Sequence, residues 1–174
     1  MKHILMIATG GTIASKATAD GLTPQLTSEE LLAEVPELEQ LCRIDTVQLM
    51  NRDSTNINSR DWLQMAACVR AHYDAYDGFV LTHGTDTMAY TASALSFMLD
   101  GLDKPVVLTG SQIPLCEIRS DGRDNLITAL LIAGEGIVRE TCLYFGGRLL
   151  RGNRATKYSA DGLIAFVSPN YPSL

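Results

Sequence analysis

Four polar motifs, each placed directly after a run of apolar residues, contain the side chains that could do chemistry. They are "TGGT" at residues 9–12, "NRDST" at 51–55, "HGTDT" at 83–87 and "TGSQ" at 109–112. In the first motif, the Thr12 hydroxyl could attack a carbonyl carbon, although an alcohol is a poor nucleophile without a base. Gly10 and Gly11 lack a Cβ atom, so backbone N–H groups could approach an oxyanion there. A capping or turn threonine is the alternative interpretation of so short a motif.

The "HGTDT" motif places a carboxylate and a predicted helix start side by side. Thr85 and Asp86 fall at the predicted start of a helix, where free backbone N–H groups and the helix dipole attract anions. A ligand carboxylate could bind these donors, whereas the Asp86 carboxylate would suit a ligand ammonium group. An amino acid has both groups. An ordinary aspartate cap is the alternative interpretation, and the local pattern does not choose between the two.

Two further residues are candidates for proton transfer in the same region. Lys157, in "RGNRATKYSADG", follows the fifth predicted strand and could serve as a base beside Thr85 and Asp86. Taken alone, it would be an ordinary surface lysine. His83 invites comparison with a Ser–His–Asp triad, but the G-x-S-x-G motif is absent, so we expect a structural histidine. Glycine-rich phosphate-binding motifs are also absent, which argues against a nucleotide ligand.

The segments between these motifs predict the frame that positions them. Five runs have the length of strands and are apolar on both faces, which is typical of parallel strands: residues 2–9, 46–50, 77–82, 104–109 and 141–145. Helical periodicity is found at residues 59–76, 86–99 and 124–134, with a weaker helix at 28–35. The alternation of strand and helix predicts an α/β fold. We expect a three-layer, doubly wound, mostly parallel sheet with helices on both faces, as in Rossmann and flavodoxin folds.

Helix ends and loops refine this prediction. Ser59 and Asp86 suit helix N-caps, and Gly101 and Gly134 suit C-caps. The polar segment "SKATADGLTPQLTSEE" at residues 15–30 predicts a mobile flap over one end of the sheet. Because parallel strands place their carboxyl ends at one edge, we expect the four polar motifs to meet there.

The composition limits the classes to which this protein can belong. Its 174 residues are 46% hydrophobic, so we expect a single domain over residues 1–174, with an interdomain linker starting at about 168–174. The net charge of -6, with both signs interspersed, argues against nucleic acid and anionic membranes as partners. No apolar run is long enough for a membrane span and no signal peptide is evident, which favours a cytoplasmic protein. Four separated cysteines are expected to be reduced and buried, and their spacing predicts no metal site: Cys42, Cys68, Cys116 and Cys142.

Taken together, the segments "ATGGTIAS", "DGFVLTHGTDTMAYTASALSFML", "KPVVLTGSQIP" and "SDGRDN" resemble the bacterial-type L-asparaginases, in particular their cytoplasmic type I branch. The resemblance implies hydrolysis of the asparagine side-chain amide in two steps, without a metal or organic cofactor. Thr12 would attack the amide, ammonia would leave, and water would release aspartate from the acyl-enzyme. The resemblance also implies that Thr85, Asp86 and Lys157 form a second cluster that assists proton transfer. How the two threonines divide the work is left open.

The same resemblance assigns substrate contacts to the carboxyl edge of the sheet. Ser54 would help to hold the substrate α-carboxylate, and Asp86 would meet the α-ammonium group. Backbone N–H groups near Thr12 and Thr85 would form the oxyanion hole. Gln112 is expected to have a supporting role at this edge. The residues expected to bind substrate are Gly11, Asp53, Ser54, Thr55, Gly84 and Ser111.

Two departures from the family pattern bear on activity. Leu22 stands where family members commonly place a flap tyrosine, so another group, such as Tyr158, would have to assist Thr12. Family members are also much longer, with a C-terminal domain that completes a neighbour's site in a homo-oligomer. We therefore expect this chain to be the N-terminal domain, with turnover that is weak or absent when it is alone. The alternative functions are an enzyme that prefers glutamine and a non-catalytic module for amino-acid binding or dimerisation.

Overall fold

A six-stranded sheet forms the centre of the computed structural model, which describes residues 1–18 and 21–174, without the side chains of residues 17, 18, 21, 22, 24 and 39. The strands are β1 (His3–Gly10), β2 (Ser15–Thr18), β3 (Gly21–Pro24), β4 (Arg43–Arg52), β5 (Gly78–Thr82), β6 (Val106–Thr109), β7 (Thr141–Phe145), β8 (Arg148–Arg151), β9 (Thr156–Lys157) and β10 (Phe166–Val167). The order across the central sheet is β4-β1-β5-β6-β7-β8. Strands β4, β1, β5, β6 and β7 pair in parallel, and β8 runs antiparallel to β7. The predicted mostly parallel sheet is therefore confirmed, with an added antiparallel edge strand.

Helices cover both faces of this sheet and complete the three layers. They are α1 (Ser28–Ala33), α2 (Ser59–His72), α3 (Met88–Met98) and α4 (Gly122–Glu135), and short 3-10 turns lie at Thr12–Ala14, Pro36–Gln40, Ser54–Asn56, Tyr73–Ala75 and Gly152–Arg154. Side chains alternate along β1, so that Leu5 and Ile7 pack with α2 and α3, whereas Ile4 and Met6 pack with α1 and α4. Burial of apolar side chains on both faces stabilises this frame.

Strand β4 is longer than the sequence predicted, because it lies at the edge of the sheet. Apolar residues alone predicted residues 46–50, whereas the strand runs from Arg43 to Arg52 and pairs with β1. Residues along it are partly or fully exposed, since an edge strand needs no continuous apolar run. The extra length brings Arg52 to the carboxyl edge, where its carbonyl accepts a hydrogen bond from Gly11 N at 3.0 Å.

Both predicted N-caps are wrong. Asn58 rather than Ser59 caps α2, and the side chains of Asn58 and Asp61 form a reciprocal capping box. A cap residue must precede the first turn for its side-chain oxygen to reach the free N–H groups, and Ser59 is already inside that turn. The N-cap of α3 is Thr87, so Asp86 lies outside the helix and remains available for an ion pair.

Both predicted C-caps are also displaced. Gly134 lies inside α4, and Gly136, with a φ of 69°, ends this helix in the left-handed conformation that glycine adopts readily. The C-cap of α3 is Leu99, and Gly101 lies in the turn beyond it. Periodicity thus located both helices but not the residues at which they end.

The segment predicted as a flap, residues 15–30, contains an antiparallel hairpin of β2 and β3 followed by the start of α1. Residues 19 and 20 and the side chain of Leu22 lie outside the described part of the chain. Hydrogen bonds from Gln25 N and Leu26 N to Ala14 O, both 2.8 Å, attach the hairpin to the turn after β1. The mobility of this flap stays a prediction.

Residues 168–174, predicted as the start of a linker, lie against the edge strand β8. Leu174 N donates to Leu149 O at 3.0 Å. The guanidinium groups of Arg151 and Arg154 lie 5.3 and 5.0 Å from the centroid of the Tyr171 ring. These cation–π contacts and the backbone bond attach the segment to the sheet. Its role as a linker, and the domain boundary that it would mark, stay predictions.

The cysteines follow the predicted burial with one exception. Cys42, Cys68 and Cys142 are buried, and desolvation raises the pKa of each thiol. Cys116 is exposed, so the expectation of burial is wrong there, because the loop after β6 lies partly at the surface. Within the described ranges, no three histidine, cysteine, aspartate or glutamate side chains lie together as a metal site would require. No helix in those ranges has the length and apolar character needed to cross a bilayer.

Candidate active site

The polar motifs that follow β1, β4 and β5 meet at the carboxyl edge of the sheet, as the parallel arrangement predicts. They surround a cavity of about 70 Å³. The residues that line it are Gly11, Thr12, Ser15, Asp53, Ser54, Gly84, Thr85 and Asp86. Two threonines from strands distant in sequence therefore face one small space, with two aspartates beside them.

Two glycines allow the loops after β1 and β5 to touch. A Cβ atom on Gly11 would lie 2.3 Å from the backbone nitrogen of Gly84, far inside van der Waals contact. A Cβ atom on Gly84 would lie 2.6 Å from the hydroxyl oxygen of Ser54. Gly11 also has a φ of +82°, a conformation that other residues rarely adopt. The bare backbone at these positions brings Thr12 and Thr85 to the same cavity.

Thr12 begins the 3-10 turn that directly follows β1. Hydrogen bonds hold the preceding residue on two sides, because Gly11 N donates to Arg52 O and Ser15 Oγ donates to Gly11 O, both at 3.0 Å. The side chain of Thr12 is partly exposed on the cavity wall. An accessible hydroxyl on a well-anchored turn has the position that a nucleophile needs to meet an incoming ligand.

The structure brings Thr85, Asp86 and Lys157 together in one hydrogen-bonded cluster. Lys157 Nζ donates to Thr85 Oγ1 at 2.9 Å and to Asp86 Oδ1 at 2.7 Å. The Lys157 side chain is 16% exposed and that of Asp86 is 58% exposed. The ammonium group is thus held within the site, while the carboxylate stays open to a ligand. A hydroxyl that accepts a hydrogen bond from an ammonium group can carry a proton between lysine and ligand.

A short hairpin holds Lys157 in this position. Lys157 is the second residue of β9, and its partner in β10 is Phe166, whose side chain is fully buried. The Phe166 ring packs edge-on against Phe145, with ring centroids 5.1 Å apart, which anchors the hairpin to the central sheet. Tyr158, suggested as a substitute for a flap tyrosine, is 81% exposed and does not line the cavity.

The loop after β4 is built around the Asp53 carboxylate. Asp53 Oδ1 accepts hydrogen bonds from Thr55 N at 2.8 Å and from Thr55 Oγ1 at 2.7 Å, so it caps the turn that follows. Ser54 is buried against Gly84, and its carbonyl accepts from Thr87 Oγ1 at 2.7 Å. Thr55 is outside the cavity lining, so it is placed to orient Asp53 rather than to meet a ligand.

The residues after β6 contribute differently from what the sequence suggested. Ser111 is fully buried outside the cavity lining, and its hydroxyl donates to Ile113 O at 2.6 Å. Gln112 instead reaches the cluster, because Thr85 Oγ1 donates to Gln112 Oε1 at 3.0 Å. Sequence reasoning gave Gln112 only a supporting role, since nothing in "TGSQ" shows which side chain turns toward the β5 loop.

His83 is fully buried behind the loop that carries Thr85. His83 Nδ1 lies 2.7 Å from Gly84 O, and Nε2 lies 2.9 Å from Thr91 Oγ1, which accepts from Trp62 Nε1 at 2.9 Å. Because a carbonyl oxygen only accepts, Nδ1 carries the proton and Nε2 accepts from the Thr91 hydroxyl. Desolvation lowers the pKa of His83 from 6.5 to about 4, so the ring is neutral near pH 7. These contacts agree with the expected structural histidine.

Fold and site together define a class: doubly wound α/β proteins with a two-threonine site at the carboxyl edge of the sheet. The chain belongs to the asparaginase family, because the family model described as "Asparaginase, N-terminal" matches residues 3–174. It is 49% identical to L-asparaginase 1 of Escherichia coli strain K12 over 181 residues, which cover 99% of this chain and 52% of the relative. The resemblance inferred from the motifs is thereby confirmed.

Solved structures of related proteins agree with this assignment. L-Asparaginase I from Vibrio cholerae superposes with a TM-score of 0.91 at 47% identity, covering 99% of this chain and 53% of that chain. The probable cytoplasmic L-asparaginase from Campylobacter jejuni gives a TM-score of 0.89 at 32% identity, covering 100% of this chain and 54% of that chain. The predicted α/β fold is confirmed, and the chain spans about half the length of the relatives it matches.

Proposed function

We propose that this chain is the nucleophile-bearing part of an L-asparagine amidohydrolase, which converts asparagine and water to aspartate and ammonia. The proposal is carried by the Lys157–Thr85–Asp86 cluster, bonded at 2.9 and 2.7 Å, beside the cavity that Thr12 lines. The Thr12 hydroxyl attacks the side-chain carbonyl of asparagine, and ammonia leaves as the C–N bond breaks. Water then hydrolyses the ester of the acyl-enzyme.

Proton transfer is assigned to Thr85 and Lys157 in this proposal. The Thr85 hydroxyl accepts from Lys157 Nζ and donates to Gln112 Oε1, and it carries a proton between the lysine and the bound ligand once its own proton turns from Gln112 to the ligand. Backbone N–H groups beside Thr12 and Thr85 stabilise the oxyanion that forms during each step. Gly11 and Gly84 permit this approach, because no side chain shields either backbone. The reaction requires neither a metal nor an organic cofactor.

Charges and donors around the cavity suit the two charged groups of an α-amino acid. The Asp86 carboxylate, which is 58% exposed, receives the α-ammonium group. Ser54 and the adjacent backbone receive the α-carboxylate, and Asp53 keeps the Ser54 turn in shape. Thr55 and Ser111 do not contact the ligand in this proposal. Thr55 orients Asp53 by donating to its carboxylate, and Ser111 stabilises the loop after β6 by donating to Ile113 O.

Other parts of the proposal concern the whole protein. The matched relatives are about twice as long as the matched segment, which supports the proposal that residues 168–174 begin a linker to a C-terminal domain. A neighbouring subunit completes each site in a homo-oligomer, and the substrate is a small molecule rather than nucleic acid or membrane. The cytoplasm is the proposed location, supported by the name of the Campylobacter jejuni neighbour.

Ammonia release from L-asparagine by the purified chain tests this proposal. We expect release to fall to the blank in Thr12→Ala and to persist in Thr46→Ala, a matched variant in the first half of the edge strand β4 that does not line the site cavity. Retained release in Thr12→Ala would exclude Thr12 as the nucleophile. If no variant releases ammonia but asparagine or aspartate raises the melting temperature, the alternative of an amino-acid-binding module is favoured.

L-Glutamine at the same concentration tests substrate size. One additional methylene group typically changes transition-state binding by about 1–3 kcal/mol in a fitted pocket. The names of the matched relatives, L-asparaginase 1 of Escherichia coli and L-asparaginase of Thermococcus kodakarensis, support the shorter side chain of asparagine. We expect faster ammonia release from asparagine, and an equal or faster rate with glutamine would instead support the alternative of a glutamine-preferring enzyme.

A further inference from the structure

A buried carboxylate joins the two ends of the loop that follows β4. This loop, residues 52–58, runs from the end of β4 to the start of α2. The Asp61 side chain, in the first turn of α2, accepts from Asn58 N at 3.0 Å through its Oδ2 atom. The same oxygen lies 3.6 Å from Nη1 of Arg52, the last residue of β4. One carboxylate oxygen therefore faces both ends of the 52–58 loop.

Burial makes the charge of Asp61 depend on Arg52. The Asp61 side chain is 3% exposed, whereas that of Arg52 is 47% exposed. A charge removed from water is costly unless an opposite charge or hydrogen-bond donors compensate it. Among the residues that the structure describes, Arg52 is the only cation paired with Asp61, and the N-terminus of α2 adds the positive end of a helix dipole. This compensation holds the end of β4 against the first turn of α2.

The backbone of Arg52 touches the segment that ends in the proposed nucleophile, Thr12. Arg52 O accepts from Gly11 N at 3.0 Å. A Cβ atom on Gly10 would lie 2.5 Å from both the nitrogen and the oxygen of Arg52, and the pairing of β1 with β4 is irregular just before this point. Arg52 thus packs directly against the two glycines that precede Thr12. A shift of Arg52 would therefore move the backbone beside the nucleophile.

The middle of the loop is held by other contacts. It contributes Asp53 and Ser54 to the cavity wall. Ser54 O accepts from Ile57 N at 3.1 Å within the loop and from Thr87 Oγ1 at 2.7 Å on the side of β5. These bonds fix the centre of the loop but not its ends, which are joined through Asp61.

We propose that Asp61 is a positioning residue, which holds the 52–58 loop in the form that binds the substrate α-carboxylate and keeps Arg52 O against Gly11. The kinetic part of this proposal rests on the proposed amidohydrolase function, whereas the structural part does not. Asp61 is outside the cavity lining, so it touches no substrate and acts through Arg52 and the loop. Because Ser54 receives the α-carboxylate before and during the reaction alike, loss of the ion pair weakens binding more than chemistry.

Two substitutions each remove one side of the ion pair. Asp61→Asn keeps the size and an acceptor for Asn58 N but removes the negative charge, and Arg52→Met keeps much of the length but removes the positive charge. We expect each to raise KM for L-asparagine about tenfold, with a smaller fall in kcat. Since both disrupt one interaction, the double variant should be little worse than the more impaired single variant. A KM unchanged from the wild type in Asp61→Asn, or effects that multiply in the double variant, would overturn the proposal.

Glu140→Gln is the matched control. Glu140 Oε1 lies 3.6 Å from Arg151 Nη1, the same separation as in the pair of Arg52 and Asp61. Glu140 directly precedes β7, at the opposite edge of the sheet from the cavity, so we expect unchanged KM and kcat. If Glu140→Gln raises KM as much as Asp61→Asn, the effect is a general consequence of a lost charge and the proposal is wrong.

Hydrogen exchange tests the structural part without turnover. The Gly11 amide, which bonds to Arg52 O, reports on the contact between the end of β4 and the nucleophile segment. We expect it to exchange about tenfold faster or more in Asp61→Asn and Arg52→Met, and at the wild-type rate in Glu140→Gln. Unchanged exchange of this amide in Asp61→Asn would overturn the positioning role. The result does not depend on ammonia release, so failure of the proposed function would leave this test intact.

Discussion

At the scale of single residues, two glycines and one lysine bring the parts of the site together. Gly11 and Gly84 let two loops touch, and Lys157 crosses from a separate hairpin to Thr85. The motifs predicted that Thr85 would lie near Thr12, because parallel strands end at one edge. They offered Lys157 as a candidate base at this edge, but only the family resemblance favoured that role over an ordinary surface lysine, since its hairpin follows the whole central sheet in sequence. They also missed the main contact of Gln112, because an amide's partners depend on loops that no local pattern describes.

A methyl group on Gly11 tests the close approach of the loops. Gly11 has a φ of +82° and its added Cβ would meet Gly84 N at 2.3 Å, whereas Gly147 has a φ of +79° and open space around it. We expect Gly147→Ala to lose about 1 kcal/mol of unfolding free energy and Gly11→Ala to lose several times more, since a backbone clash is added to the same strain. Urea denaturation measures both, and equal losses would show that the loops have room to separate.

Burial of His83 makes stability depend on pH. Its folded pKa of about 4 lies below the ordinary value of 6.5, so between these values the unfolded chain binds a proton that the folded chain does not. The free energy of unfolding should therefore fall as pH drops from 6.5 to 4, by up to about 1.4 kcal/mol per pH unit. Urea titrations of the wild type and His83→Gln across this range measure the contribution. An identical pH dependence in both proteins would contradict it.

At the scale of helices and strands, hydrophobic periodicity predicted the main helices and central strands but not the residues at which they begin and end. Strands β5, β6 and β7 were predicted closely, because central parallel strands are buried on both faces, whereas β8, β9 and β10 were not predicted. The edge strand β4 was predicted too short, because its residues are partly or fully exposed and form no continuous apolar run. The helix caps were misassigned because several polar residues near each end could serve, and only backbone geometry selects one.

The N-terminus of α2 offers a test of this distinction. Asn58 caps the helix in a box with Asp61, whereas Ser59, predicted as the cap, is the first residue inside it. We expect Asn58→Ala to lower the free energy of unfolding by about 1 kcal/mol, because the N–H groups of the first turn lose their acceptor. Ser59→Ala should change it far less. Thermal denaturation compares the two, and a larger effect at Ser59 would show that the cap is misplaced.

At the scale of the whole molecule, apolar packing on both faces of the sheet positions the polar residues at its carboxyl edge. Strand β1 buries alternate side chains against α2 and α3 on one face and α1 and α4 on the other, so its carboxyl end is firmly held where Thr12 begins. The fold class was predictable because alternating strands and helices allow few arrangements. The attachment of residues 168–174 to β8 was not, since a stretch with two prolines and no periodicity is equally typical of a linker.

The most direct test of the central claim is to locate the acyl group during turnover. Acid quenching of the chain with excess L-asparagine, followed by peptide mass spectrometry, identifies the residue that carries the aspartyl ester. We expect the added mass on the tryptic peptide of residues 3–16, which contains Thr12, and none in Thr12→Ala. An adduct on the peptide that contains Thr85, or continued ammonia release with no adduct on either threonine, would contradict the assignment of Thr12 as the nucleophile.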